Sequence, residues 1–74
     1  MNTPKYEQVA SAIREQIRTG HLKPGDQIPT TQGLIEQYSV SYGSIRTALL
    51  ILKAEGLIEG RQGEGVFVRE RDGQ

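Results

Sequence analysis

Seventy-four residues allow one small domain and leave no room for a catalytic architecture with a lid and a large pocket. Hydrophobic residues make up 35%, aromatics 5%, and cysteine is absent, so the core supplies only about 3 to 5 kcal/mol and disulfides, thiolate metal sites and thiol nucleophiles are excluded. Nine Lys plus Arg balance nine Asp plus Glu, so no bulk positive field draws the chain to nucleic acid or membrane, and any such binding must use a local patch.

Thr3-Pro4 reads as N-cap and first helical position, where proline's fixed φ and missing N–H cost nothing. Tyr6, Val9, Ala10, Ile13 and Ile17 follow at three- and four-residue spacing, with Glu7, Ser11, Arg14, Glu15 and Arg18 opposite. The spacing predicts a first helix over about Pro4 to Thr19, closed by a left-handed Gly20. Lys23-Pro24-Gly25-Asp26 supplies the fixed and then positive φ of a type II turn. Gln27-Ile28-Pro29 is short and extended, because a residue before proline avoids helical dihedrals.

Thr30 caps a second helix over about Thr31 to Tyr38, with Leu34, Ile35 and Tyr38 inward; Gly33 weakens it by ~1 kcal/mol relative to alanine. Ser39-Val40-Ser41 is a break in which Val40 is a buried plug and Ser41 the next N-cap. A third helix runs from about Tyr42 to Glu55, with Ile45, Ala48, Leu49 and Leu52 on one stripe, and Gly56 ends it. Two short helices joined by a tight turn with an apolar plug form a helix-turn-helix. Beyond Gly56 the period changes to two. Leu57 to Arg61 and Val66 to Arg69 read as strands around Gln62-Gly63-Glu64-Gly65, a hairpin placed as a wing. The expected fold is therefore α+β: three helices and then a two-stranded wing, over residues 1–69. Residues 70–74, polar or glycine throughout, read as the start of a linker.

On a helical wheel Tyr42, Gly43, Arg46, Thr47 and Leu50 oppose the core stripe of the third helix. The exposed N-terminal half of such a helix, here from Ser41 through Ser44 to Thr47, is the part that enters a major groove. Arg46 carries the planar fork that matches guanine O6 and N7, or is an ordinary solvated charge. Thr30, Thr31 and Gln32 can donate to a phosphate, or Thr30 only caps. Arg61, Gln62 and Gly63 can approach a minor groove, or the hairpin is plain, and Glu64 there is repulsive to phosphate. Lys53 is the most suitable of the scattered cations for a phosphate. His21 has no nucleophile beside it, and Gly63-Glu64-Gly65 fits neither a phosphate loop nor a dinucleotide fingerprint. Neither an active site, a metal nor a cofactor is expected. The longest apolar run, the five residues Ala48 to Leu52, falls short of the roughly 18 to 20 a membrane span needs, and Met1-Asn2-Thr3-Pro4 lacks a signal peptide's apolar region. A soluble, intracellular domain without membrane partners is expected.

The order of these elements, with Tyr6-Glu7-Gln8-Val9-Ala10, Leu22-Lys23-Pro24-Gly25-Asp26-Gln27-Ile28-Pro29, Ile45-Arg46-Thr47-Ala48-Leu49, Ala54-Glu55-Gly56-Leu57-Ile58 and Arg61-Gln62-Gly63 followed by Gly65-Val66-Phe67-Val68, resembles the N-terminal winged-helix domain of GntR-family bacterial transcription regulators. The start looks most like the branch of the histidine-utilisation repressors. The resemblance implies a cytoplasmic homodimer on palindromic double-stranded operator DNA, with a C-terminal domain that binds a small-molecule effector and dimerises. Of three arginines that the family commonly places on operator DNA only Arg46 is present, Gln32 and Tyr42 standing at the other two, so the family's usual operator does not transfer. The competing reading is a winged helix that binds protein and never DNA, favoured by zero net charge.

Overall fold

The computed structural model describes residues 3–70. Its elements in chain order are α1 (Lys5–Thr19), α2 (Thr31–Tyr38), α3 (Tyr42–Ala54), β1 (Ile58–Arg61) and β2 (Gly65–Val68). α1 starts one residue later than the spacing suggested, and Thr3 is not its cap. Pro4 itself stands at the N-cap, extended at ψ 148° and without a side-chain cap bond. Its carbonyl accepts the N–H groups of Glu7 and Gln8 at 3.0 and 3.1 Å, so it already serves as the first helical acceptor. Gly20 closes the helix at φ 89°, a conformation glycine adopts at no steric cost.

The Pro24-Gly25 turn is as expected: Gly25 has φ 90° and the Asp26 N–H donates to the Lys23 carbonyl at 2.9 Å. The segment after it does more than extend. Gly25 N–H donates to the Val68 carbonyl, Val68 N–H to the Asp26 carbonyl and Ile28 N–H to the Val66 carbonyl, at 2.9, 2.8 and 2.7 Å. Gln27 thereby bridges Phe67 in antiparallel fashion, on the edge of β2 away from β1. Pro29, which has no N–H, ends the pairing.

α2 and α3 begin alike. The hydroxyl of Thr30 accepts the Gly33 N–H at 3.0 Å, and that of Ser41 accepts the Ser44 N–H at 3.2 Å. Between them Ser39 takes the left-handed conformation at φ 55°, a strain of about 1 to 2 kcal/mol in a non-glycine residue. It turns the chain sharply enough for α3 to begin at Tyr42. Val40 packs against the core but is only half-buried, so the plug is partial. α3 stops at Ala54, one residue before the expected end, with Glu55 as C-cap and Gly56 at φ 79°.

The core is the one the periodicities marked: Val9, Ala10 and Ile13 of α1, Leu34 of α2, and Ile45, Ala48, Leu49 and Leu52 of α3, closed by Ile28, Ile58 and Val68. No polar residue is buried among the described ones. Arg14 of α1 forks onto Glu55 at the end of α3, at 2.9 and 2.8 Å. As a half-exposed pair it adds at most about 1 kcal/mol. β1 and β2 pair antiparallel with Ile58 opposite Val68 and Arg61 opposite Gly65. Both strands sit one residue off the expected limits: Leu57 precedes β1, and Gly65 replaces Arg69 in β2, because Arg61 needs a partner across the ladder. Residues 71–74 of the expected linker lie outside the described residues. Among the described residues no helix is long and apolar enough to cross a membrane.

These caps make a direct expectation. Ser41→Ala will cost about 1 kcal/mol of stability, read as a lowered denaturation midpoint with unchanged slope. Ser41→Asp, which keeps an acceptor, will recover it.

Candidate nucleic-acid interface

Packing Ile45, Ala48, Leu49 and Leu52 inward leaves the other face of α3 to solvent. Gly43, Arg46 and Thr47 are exposed there, and Tyr42 and Leu50 retain 57% and 54% of their surface. Arg46 makes no hydrogen bond or ion pair among the described residues. The ion pairs found there use Arg14, Arg18 and Arg61 instead. Its guanidinium is thus fully available as a forked donor.

Thr31, Tyr42, Arg46, Leu49, Leu50 and Lys53, with Val66 of β2, line a groove of about 200 Å³. This groove joins the start of α2, the outer face of α3 and the root of the wing. Two capped helix starts flank it, where unpaired backbone N–H groups favour anions. Thr30, once it has accepted the Gly33 N–H, keeps its own hydroxyl hydrogen for another acceptor. The Ser41 hydroxyl accepts from Ser44 N–H and donates to the Ser44 hydroxyl at 3.2 Å, so it is Ser44 that has a proton to spare. Gln32 is exposed at the first turn of α2 but turns its amide to Glu36 at 3.2 Å.

The wing departs most from the reading of the sequence. Arg61 closes the ladder opposite Gly65, beside the tip, but its side chain is engaged within the wing. Its Nε and Nη2 both lie 3.1 Å from Oε2 of Glu59, and its guanidinium sits 4.4 Å from the centroid of the Phe67 ring. Glu59 and Phe67 face each other across the ladder, so register builds this clamp. Gln62 and Gly63 form the exposed tip, with Gly63 at φ 78°. Gln27 reaches across to donate from Nε2 to the Glu64 carbonyl at 3.1 Å. A Cβ on Gly65, already at φ 126°, would lie 2.6 Å from that nitrogen; glycine there lets Gln27 hold the loop. Neither Gln27 nor Glu59 stood out in the sequence. The structure gathers Thr31, Tyr42, Arg46 and Lys53, with Thr30, Ser41 and Ser44 at the helix starts, and leaves Arg61 in a separate charged recess with Glu59, Arg69 and Glu70.

His21 Nδ1 lies 3.1 Å from the Thr19 hydroxyl, two residues away, and no three His, Cys, Asp or Glu side chains converge among the described residues.

The family model described as "Bacterial regulatory proteins, gntR family" matches residues 5–68. The mannosyl-D-glycerate transport/metabolism system repressor MngR of Escherichia coli K12 is 45% identical over 67 residues, 90% of this chain and 28% of that protein. The histidine utilization repressor of Klebsiella aerogenes is 44% identical over 71 residues, 96% of this chain and 30% of that one. The chain therefore spans less than a third of the length of these relatives, both of them repressors. Among solved structures, the AraR DNA-binding domain in complex with operator ORR3 superposes with a TM-score of 0.88 at 40% identity, over 92% of this chain and 82% of that one. The chain belongs to the gntR family of bacterial regulatory proteins, and residues 5–68 are its winged-helix DNA-binding domain.

Proposed function

We propose that the chain recognises double-stranded operator DNA in a sequence-specific manner, with α3 in the major groove, the start of α2 on the phosphate backbone and the Gln62-Gly63 tip at the minor groove. The observation that carries this reading is Arg46: a forked cation without partners, one turn inside a capped helix start, on the exposed face of α3. Buried Ile45 and Leu49 fix the orientation of that face. Support comes from the AraR domain, which was solved with operators ORR3 and ORX1. The full protein is proposed to be a cytoplasmic homodimeric repressor on a palindromic site, responding to a small molecule held by a further domain. A homodimer supplies the avidity that one neutral module lacks.

Selection of duplexes from a random pool, followed by titration at several salt concentrations, tests this. A common motif is expected, held weakly by the single domain, with affinity falling as salt rises. Gln32→Arg adds one phosphate contact and will steepen the slope of log affinity against log salt by about 0.9. Failure to enrich any motif, together with retention of a protein partner, would favour the interaction module that zero net charge allows.

A further inference from the structure

Tyr42 and Leu50 are the large hydrophobic side chains left mostly exposed among the described residues. An isolated exposed apolar residue is ordinary on a protein surface. These two, however, sit four residues before and four residues after Arg46, on the same outward side of one helix. Both line the groove that Arg46 lines, together with the apolar Leu49 and Val66. The partner-free guanidinium thus emerges from the middle of an apolar stripe.

The edges of DNA bases offer little that suits such a stripe. In the major groove the apolar feature that a base pair presents is the thymine 5-methyl group. We infer that the Tyr42 and Leu50 stripe docks thymine 5-methyl groups beside the guanine paired by Arg46. This deepens the DNA reading and rests on it. Four residues of helix rise about 6 Å, and base pairs stack about 3.4 Å apart, so the methyl that meets Tyr42 belongs to a thymine within about two base pairs of that guanine. The Tyr42 ring supplies the apolar contact. Its hydroxyl makes no hydrogen bond among the described residues and is left for the sugar-phosphate backbone. Lys53 lines the same groove, one turn of α3 beyond Leu50, and is the cation there that would meet a phosphate. The stripe also answers the zero net charge: selectivity drawn from methyl contact needs no additional cation.

The test uses the duplex obtained by selection, with each thymine in turn replaced by uracil, which removes the methyl and leaves the pairing intact. Binding of the native chain is expected to fall about three- to fivefold at one thymine within two base pairs of the guanine, the worth of one buried methyl group. Tyr42→Ala will bind the thymine and uracil forms of that duplex alike, whereas Tyr42→Phe will still tell them apart. Arg46→Ala will bind both more weakly while keeping the difference. Thermal melts should coincide for the native chain and all of these variants, Leu50→Ala included, since these side chains are exposed. Equal binding of thymine and uracil forms at every position, with the guanine still required, would overturn the methyl contact and leave the DNA reading standing. Discrimination that survives both Tyr42→Ala and Leu50→Ala would overturn it equally. Loss of the guanine requirement as well would overturn both.

Discussion

Ile45→Ala is expected to leave the domain largely unfolded or molten under conditions in which the native chain melts cooperatively. Ile45 is completely buried at the first inward position of α3, on the core cluster shared with α1 and α2. Truncating a buried isoleucine to alanine costs about 2 to 5 kcal/mol through lost transfer energy and the cavity left behind. A domain of this size has about 3 to 5 kcal/mol in all. The loss is comparable to the whole, and the chain has no cysteine to form a disulfide that would hold the remainder. Urea denaturation followed by circular dichroism checks this. Ile45→Val, which removes one methylene, will still fold with a loss of about 0.5 to 1.5 kcal/mol, and a native-like midpoint for Ile45→Ala would mean that α3 is not anchored by its inward stripe.

Arg46→Ala is expected to do the opposite: to spare the fold and to remove recognition. An exposed arginine without partners has little native energy to lose, and such surface changes fall within about ±0.5 kcal/mol. On the selected duplex the loss should be about 1 to 3 kcal/mol, or roughly 5- to 150-fold in affinity, because a bidentate arginine-guanine pair is worth that much against the wrong base. On a duplex in which that one base pair is exchanged, native and variant should bind almost equally. Arg46→Lys will recover part of the loss, having the charge without the fork. Equal losses on both duplexes would make Arg46 a phosphate contact. No loss on either would take α3 out of the groove.

Local chemistry made most of the fold legible. The two hydroxyl caps, the Pro24-Gly25 turn and the core stripe of α3 each depend on residues within one helical turn of each other, and each stands where the sequence places it. Long-range pairing was illegible for the same reason. Gln27 finds the Glu64 carbonyl 37 positions away, and Arg14 finds Glu55 at a separation of 41; neither spacing carries a period. The clamp of Glu59 and Phe67 on Arg61 needs the strand register, which sequence alone left a residue out at each strand. Ser39 in the left-handed region was hidden because nothing but glycine advertises that conformation. In the candidate interface, exposure of Tyr42, Arg46 and Leu50 followed from the helical wheel, while the groove that unites them with Thr31, Lys53 and Val66 required the tertiary packing of α2 and the wing.

The most direct measurement is a residue-by-residue NMR titration of the chain with its selected duplex. Docking through α3 predicts backbone and side-chain shifts concentrated at Thr30 to Gln32, Ser41 to Thr47, Leu50 and the Gln62 to Gly65 tip, with the Arg46 Nε resonance moving most and the α1 face around Arg14 and Arg18 unmoved. Shifts centred on Arg14, Arg18, Leu57 and Arg69, with Arg46 unchanged, would contradict it.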